Sequence, residues 1–288
     1  MPFTVKANAK INLTLDITGK REDGYHFLRM VMQSVTLSDT LTLRTEGKGI
    51  RLLCGRSEIP CNELNTVYKA ASAFFDHTGI NPDLTVHIDK AIPSQAGLGG
   101  GSADAAAVLL ALNQLYGAGL TEQTLCEIGL KIGADVPFCV VGGTALAEGI
   151  GEKLTALPAL PPCRIVICKP PVGVDTKRAY ALADAALKKE SGFSAAMLDA
   201  VRRGDLSAVA RNLGNEFEQV MHLAEAAHIK SAMLRHGALG ACMTGSGSAV
   251  FGIFEEDEKA MSCQSVLKDI YPEAFVCEPA SFGCLLQG

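Results

Sequence analysis

The chain has 288 residues, of which 48% are hydrophobic and 20% charged, and its formal net charge is -5. This length and composition exclude a disordered protein and predict a sizeable core divided between two domains. The 26 basic residues form no cluster long enough to suggest a nucleic-acid or membrane surface, so we expect small-molecule partners.

The cysteines and histidines lack the spacing of metal sites. The ten cysteines lie in apolar segments without a C-x-x-C pair, and the six histidines show no H-x-x-x-H spacing. This usage predicts buried free thiols of a reducing cytoplasm and argues against a zinc site. Because the chain begins without a basic-then-apolar signal and no apolar run reaches membrane-spanning length, we predict a cytoplasmic protein without a membrane partner.

The first predicted element is a strand over residues 10–17, in which apolar and polar residues alternate. Lys10 and Asn12 share its polar face, where a lysine is ordinarily solvated. A glycine-bounded turn over residues 19–24 leads to Tyr25 and His26, which could simply flank that turn. Further strands are predicted after it, up to Arg44.

A glycine-rich segment over residues 93–104 follows a predicted helix over 64–75, capped by Asn62 or Asn65, and a predicted strand over 84–88. An alanine- and leucine-rich helix, opened by Ser102 or Asp104, comes directly after it. Glycines at a helix start bring backbone N–H groups together and suit a phosphate chain, although a flexible linker is the alternative. The segment matches neither the Walker nor the dinucleotide-binding glycine pattern.

The middle of the chain contains Asp135 in the segment G-A-D-V-P-F, after a predicted helix from Thr121 to about Ile132 and before a predicted strand over 140–148. An aspartate two residues before a proline is most often a cap or turn residue. The proline-rich segment 157–162 predicts a domain boundary, giving domains over residues 1–157 and 163–288.

The second half predicts the order β-α-β-β-α-β of a ferredoxin-like domain. Its predicted strands cover residues 164–168, 239–243, 249–254 and 274–277, and its predicted helices cover 177–188, 218–235 and 256–267.

Six motifs occur together and in order: A-K-I-N-L at 9–13, G-Y-H at 24–26, G-L-G-G-G-S at 97–102, G-A-D-V-P-F at 133–138, G-I-G-E at 149–152 and T-G-S-G-S at 244–248. With Pro93 to Ala103 matching a P-x-x-x-G-L-G loop, this set resembles the GHMP kinases, which include galactokinase and the homoserine, mevalonate and phosphomevalonate kinases. Within that superfamily it is most similar to the branch that acts on a cytidine diphosphate sugar alcohol.

The resemblance implies an α+β fold, with an N-terminal α+β ATP-binding domain, a C-terminal ferredoxin-like domain and an active site in the cleft between them. It implies ATP-dependent phosphorylation of the 2-hydroxyl of the erythritol part of the acceptor, a step in non-mevalonate isoprenoid precursor biosynthesis. The expected partners are therefore ATP, Mg²⁺ and a cytidine diphosphate sugar alcohol. We expect a monomer or a weak homodimer that binds no nucleic acid.

The resemblance also implies the roles of individual residues. Asp135 would accept the proton of the attacking hydroxyl, and Lys10 would stabilise the ionised carboxylate and the attacking oxygen. Asn12 would orient either the acceptor or Lys10. Tyr25, Tyr180 and His26 would surround the cytosine, with Thr176 near the ribose and diphosphate. The ATP site would comprise Asn65, Pro93, Ser94, Gln95, Ala96, Gly97, Leu98, Gly99, Gly100, Gly101, Ser102 and Ala103.

Two of these positions have structural alternatives: Asn65 could serve only as a helix cap, and Tyr180 could belong to a buried helix face. The chain also departs from the family pattern at one wall of the cytosine pocket, where Met32 stands in place of the phenylalanine of some members. The wider superfamily often has a hydroxyl where Gly100 lies, so Ser102 could be a cap and the Mg²⁺ ligands stay unassigned.

Two other functions remain open at this point. The first is another GHMP kinase acting on homoserine, mevalonate or a sugar, although those substrates have no base for Tyr25, His26 and Tyr180 to bind. The second is a nucleotide-binding module without catalysis, against which the presence of both Lys10 and Asp135 argues.

Overall fold

A computed structural model describes residues 2–186 and 192–287 of the chain. Its strands are β1 (Phe3–Lys20), β2 (His26–Thr45), β3 (Gly49–Cys54), β4 (Asp83–Asp89), β5 (Thr144–Gly149), β6 (Lys153–Ala156), β7 (Arg164–Lys169), β8 (Gly214–Asn215), β9 (Gly240–Met243), β10 (Val250–Phe254), β11 (Glu273–Cys277) and β12 (Cys284–Gln287). Its helices are α1 (Thr66–Thr78), α2 (Gly100–Leu115), α3 (Glu122–Leu130), α4 (Val136–Val141), α5 (Thr176–Ala186), α6 (Phe193–Arg203), α7 (Leu206–Arg211), α8 (Glu216–Met221), α9 (Ala224–Arg235) and α10 (Asp257–Lys268).

The described residues form an eight-stranded sheet and a four-stranded sheet. The larger sheet has the path β12-β1-β2-β4-β3, with β5 paired to β2, β6 to β5 and β8 to β1. The proposed division at residues 157–163 separates the two sheets, except that β8 and β12 come from the second half and join the first sheet. Two segments of the C-terminal half therefore fasten it to β1.

Strand β1 is buried on both faces, which differs from the half-buried strand predicted over residues 10–17. Its apolar residues, among them Ile11 and Leu13, are fully buried, but Lys10, Asn12 and Asp16 on the polar face are also buried. The polar face is covered near Asp16 by the start of α6, where the N–H groups of Phe193 and Ser194 donate to the Asp16 carboxylate, both at 2.8 Å. Near Lys10 it is covered by the glycine loop, where Lys10 N donates to the Leu98 carbonyl oxygen at 3.0 Å. Lys10 is therefore held inside the molecule and is not a solvated surface lysine.

The four-stranded sheet has the order β11-β7-β10-β9 and is antiparallel throughout. This order places β7 and β10, the first and third strands of this sheet in chain order, at its centre, as the β-α-β-β-α-β prediction of a ferredoxin-like domain requires. Helices α9 and α10 pack against the sheet through a core that includes Ile229, Met233 and Leu267.

Some predicted element boundaries were wrong. Helix α2 begins at Gly100, before Ser102 and Asp104, because Gly99 takes the N-cap position in the left-handed region at φ 69°. Residues 140 and 141 belong to the short helix α4 and not to the following strand. The helix predicted over 218–235 is two helices, α8 and α9, interrupted at His222, which has φ 47°.

Other boundaries were confirmed. Asn65 is the N-cap of α1, where its Oδ1 accepts from Val67 N at 2.8 Å, and Thr121 is the N-cap of α3. The last two residues of the helix predicted over 177–188 lie outside the described residues. Of the helices in residues 2–186 and 192–287, none is both long enough and apolar enough to span a membrane.

Candidate active site

The glycine loop lies between β4 and α2 and exposes the start of a 16-residue helix. No side chain caps this helix, so its first backbone N–H groups are available to a ligand. The N-terminal end of a helix carries partial positive charge, which favours an anion such as a phosphate. Gly97 and Gly99 have φ values of 75° and 69°, which a residue with a Cβ adopts only with strain.

One cavity of about 390 Å³ lies on the outer side of this loop. Its walls include every predicted ATP-site residue except Ala103, which is fully buried behind the loop. Ile59, Pro60 and Leu64 add apolar surface beside Asn65. The cavity thus combines an apolar end with backbone hydrogen-bond donors, an arrangement that suits a nucleoside triphosphate. We refer to it as the donor cavity.

A buried charge cluster holds the strand end that leads into the loop. Lys90 donates to Asp104 Oδ2 at 2.7 Å and to Asp39, and Asp39 accepts from the backbone N–H groups of Ala91 and Ile92 at 2.7 and 2.8 Å. Burial raises the pKa of Asp104 to about 7 against the opposing attraction of Lys90. This cluster was not predicted from the sequence, although Lys90 and Asp104 also line the donor cavity.

A second cavity of about 390 Å³ lies on the inner side of the loop, and we refer to it as the acceptor cavity. Four residues line both cavities: Gln95, Gly97, Gly99 and Ser102. The loop is therefore the wall between them, which is where a group passing from one ligand to the other would cross.

Lys10 and Asp135 meet in the acceptor cavity beside this shared wall. Lys10 Nζ lies 3.4 Å from Asp135 Oδ2 and donates to Asn12 Oδ1 at 2.8 Å. The Lys10 side chain is 5% exposed and that of Asp135 is 32% exposed, so the carboxylate is the more accessible of the two. The stem of Lys10 crosses Gly99, since a Cβ there would lie 2.9 Å from Lys10 Cγ.

The loop over residues 244–248 completes the acceptor cavity from the C-terminal half. Thr244 Oγ1 accepts from Asn12 N at 2.9 Å, and Gly245, Ser246 and Gly247 line the cavity. Gly97 packs directly on this loop, because a Cβ at Gly97 would lie 2.2 Å from the Thr244 carbonyl oxygen. The glycine loop, strand β1 and the loop over residues 244–248 are therefore in mutual contact.

The residues predicted at the cytosine are only partly brought together. The rings of His26 and Tyr180 are stacked, with centroids 4.4 Å apart and an interplanar angle of 15°. Tyr180 lines the acceptor cavity, as does Thr176, whose hydroxyl lies 2.9 Å from that of Ser246. Tyr25 is 61% exposed in the turn between β1 and β2, and neither Tyr25 nor His26 is a wall of the cavity, which His26 adjoins through Tyr180.

The acceptor cavity has an apolar wall that the sequence analysis missed. It is formed by Leu15, Leu28, Met30 and Phe217, and Phe217 meets Tyr180 edge to face with centroids 4.9 Å apart. Phe217 was not predicted to lie on this wall, because the predicted helix begins at residue 218 whereas α8 begins at residue 216. Met32, which stands where some family members have a phenylalanine, is fully buried in the core behind this wall.

Asn65 has two structural hydrogen bonds as well as a place in the donor cavity. Besides capping α1, it donates from Nδ2 to the Pro60 carbonyl at 2.7 Å. We expect Asn65→Ala to lose about 1 kcal/mol of stability, whereas Asn65→Ser retains a capping oxygen and loses less. If Asn65 also contacts the purine, both variants will raise the KM for ATP, as steady-state kinetics and thermal unfolding of the pair will reveal.

An increase in KM confined to Asn65→Ala would instead assign this side chain to helix capping alone.

The comparisons with known proteins agree with this geometry. The family model for the GHMP kinases N terminal domain matches residues 65–143, and that for the GHMP kinases C terminal matches residues 197–273. The α+β architecture predicted from the sequence is confirmed, and the chain is a kinase of the GHMP class.

Among curated proteins, a 4-diphosphocytidyl-2-C-methyl-D-erythritol kinase from Clostridium novyi (strain NT) is 43% identical, over 94% of this chain and 98% of its own length. One of the same name from Caldicellulosiruptor saccharolyticus is 44% identical, over 96% of this chain and 98% of its own. A solved 4-(cytidine 5'-diphospho)-2C-methyl-D-erythritol kinase superposes with a TM-score of 0.82 at 32% identity, covering 96% of this chain and 99% of that one. The chain belongs to the family of 4-diphosphocytidyl-2-C-methyl-D-erythritol kinases.

Proposed function

We propose that this chain transfers the γ-phosphoryl group of ATP to the 2-hydroxyl of 4-diphosphocytidyl-2-C-methyl-D-erythritol. The observation that carries the proposal is the position of Lys10 and Asp135 in the acceptor cavity, beside the glycine loop that also walls the donor cavity. A phosphoryl group on the donor side and a hydroxyl on the acceptor side would then be neighbours. The family relationship supplies the identity of the acceptor.

In this mechanism Asp135 accepts the proton of the 2-hydroxyl as its oxygen bonds to the γ-phosphorus. The bond from that phosphorus to the bridging β–γ oxygen breaks, and ADP leaves with the electron pair. Lys10 is placed by Asn12 and Asp135 to offset the negative charge that develops on the attacking oxygen. Because the Lys10 side chain is buried and donates to Asn12 Oδ1, its charge is already oriented before the substrates bind.

The first turn of α2 and the loop over residues 97–101 would hold the triphosphate through backbone N–H groups. Much of the rate acceleration would come from aligning the hydroxyl with the phosphorus, since positioning alone supplies several kcal/mol in well-ordered sites, roughly 7–11 at the limit. The wall shared by the two cavities provides that alignment.

The residues fit a magnesium ion that arrives with the triphosphate. Ser102 offers a hydroxyl at the wall shared by both cavities. Within residues 2–186 and 192–287, no group of three or more His, Cys, Asp or Glu side chains could hold a metal by itself, so most of its ligands would be phosphate oxygens and water. When bound, Mg²⁺ would reduce the repulsion between the phosphate oxygens and the incoming hydroxyl.

At the other end of the acceptor, we propose that the stacked pair of Tyr180 and His26 receives the cytosine. Tyr25 lies at the hairpin tip, so it would have to move toward the cavity to cover the second face of the base. Thr176 and Ser246 would lie beside the diphosphate, because their hydroxyls meet where the acceptor cavity passes between α5 and the loop over 244–248.

The test is ATP-dependent phosphorylation with a panel of acceptors: 4-diphosphocytidyl-2-C-methyl-D-erythritol, homoserine, mevalonate and galactose. We expect ADP release and a 2-phosphate product, identified by ³¹P NMR, with the first acceptor only. Turnover of homoserine or mevalonate at a comparable kcat/KM would favour another GHMP kinase. ATP binding without turnover of any acceptor would favour a non-catalytic nucleotide-binding module.

A further inference from the structure

A single carboxylate on α5 joins two residues of the β1–β2 hairpin. His26 Nε2 lies 2.6 Å from Asp184 Oδ1, and Lys20 Nζ donates to Asp184 Oδ2. The side chain of His26 is 7% exposed, whereas those of Asp184 and Lys20 are 38% and 53% exposed. Asp184 therefore anchors a nearly buried imidazole from an exposed position on α5.

The same helix also fixes the plane of this imidazole. Tyr180 and Asp184 are four residues apart on α5, a spacing that puts both on one face of the helix. Tyr180 stacks on the His26 ring while Asp184 binds its edge, and Phe217 holds the Tyr180 ring from the side. The stack sets the tilt of the imidazole, and the hydrogen bond sets its rotation.

A carboxylate can only accept a hydrogen bond, so the nitrogen that faces Asp184 must carry a proton. The neutral imidazole then has its hydrogen on Nε2 and a lone pair on Nδ1. The exocyclic group at position 4 distinguishes the two common pyrimidines, because cytosine has an amino donor there and uracil has a carbonyl acceptor. A lone pair facing that group accepts from cytosine and repels uracil.

We propose that Asp184 is a positioning residue that holds His26 as its Nε2-protonated tautomer, so that the acceptor site selects a cytosine base over uracil. The inference rests on the proposed function, since it assumes that the base of the acceptor lies at His26. It assigns a specificity role to an acidic residue outside the six motifs. Asp184 acts through His26 and does not itself contact the substrate.

The test compares the full-length protein with Asp184→Asn, which keeps the size of the side chain and removes the charge that selects the tautomer. The probes are CDP and UDP, whose binding is measured by titration calorimetry. We expect the unaltered protein to prefer CDP. In the variant the ratio of CDP to UDP affinity should fall about tenfold, which corresponds to the loss of one hydrogen bond. With the cytidine acceptor, KM should rise while kcat changes less than about twofold, because the reacting end is untouched.

A matched control is Asp199→Asn on α6, which also removes an aspartate from an exposed ion pair on a helix, here with Arg203. It should leave the ratio of CDP to UDP affinity unchanged. Long-range ¹H–¹⁵N NMR of the imidazole nitrogens, with the His26 signals assigned by His26→Gln, should show the proton on Nε2 in the unaltered protein and a mixture of tautomers in Asp184→Asn.

An unchanged preference for CDP in Asp184→Asn, or a proton on Nδ1 in the unaltered protein, would overturn the inference. Failure of the unaltered protein to phosphorylate the cytidine acceptor would refute the proposed function instead. The two failures are distinguishable because nucleotide binding and tautomer state are measured without turnover. Thermal unfolding shows whether Asp184→Asn is folded, and NMR of the unaltered protein tests the tautomer even if it is not.

Discussion

Replacing Asp135 by asparagine is expected to reduce kcat by about 10²–10⁴-fold, the usual contribution of a general base, while ATP binding stays nearly intact. Asparagine has the same size but cannot take the proton of the hydroxyl. Asp135 lies in the acceptor cavity and is not a wall of the donor cavity, which is why the affinity for ATP should survive. Steady-state assays of ADP release would measure kcat, and titration calorimetry would measure the affinity for ATP.

The stability of this variant should also be close to that of the parent protein. Asp135 occupies the N-cap position of α4, but its side chain makes no capping hydrogen bond, so no cap is lost. The matched control is Asp205→Asn at α7, where the side chain does cap the helix by accepting from Ala208 N at 2.9 Å. Full activity in Asp205→Asn and full activity in Asp135→Asn together would remove Asp135 as the base.

The contact between Lys10 and Asp135 illustrates what could be predicted from the sequence. Both residues lie in motifs, and the family resemblance that those motifs carry implied them as a catalytic pair. Their geometry was not predictable, because β1 is buried on its polar face partly by segments 177 to 232 residues away in the chain. The local sequence pattern alone predicted that the Lys10 side chain would be exposed to solvent.

Two of the strands that were not predicted are held by distant pairing. Strand β12 has only four residues, and it is a strand because Cys284 to Gln287 pair with residues 4–7 of β1. Strand β8 has two residues and likewise depends on β1. Phe217 became a wall of the acceptor cavity because Asn215 caps α8 and donates to the carbonyl oxygens of Met243 and Gly245, both at 2.8 Å. Such links leave no periodic signal in the local sequence.

The glycine loop was predicted as a phosphate-binding element, but the reason for each glycine differs. Gly99 makes way for the stem of Lys10, whose Cγ would lie 2.9 Å from a Cβ there, and it caps α2 with its own left-handed backbone. At Gly101 a Cβ would meet only the Thr66 side chain, at 3.3 Å. At Gly97 the nearest atoms are all backbone. Backbone atoms cannot move away by changing rotamer as a side chain can, so Gly97 is the glycine of this loop that tolerates an added side chain least.

Gly97→Ala is therefore expected to reduce kcat/KM for both substrates by at least about 100-fold, since a shift of about 1 Å at a reacting site costs that much. A Cβ at residue 97 would lie 2.2 Å from the Thr244 carbonyl oxygen and 3.3 Å from Gly247 N, at a φ of 75°. To relieve the clash, the ATP loop and the loop over 244–248 must separate. Because the two loops wall the acceptor cavity together, the hydroxyl and the phosphorus would lose their alignment.

Gly101→Ala is the matched control for stability, as it adds the same methyl group four residues further along; since Gly101 also lines the donor cavity, its effect on the KM for ATP is measured separately. Position 101 lies within α2, where alanine is favoured over glycine by about 1 kcal/mol, so this variant should unfold at the same temperature or slightly higher. Kinetics with each substrate varied in turn, together with thermal unfolding of both variants, would separate lost alignment from lost stability. If Gly97→Ala kept the parent kcat/KM, the contact between the two loops would have no part in aligning the substrates, and the alignment would have to come from Lys10 and the first turn of α2.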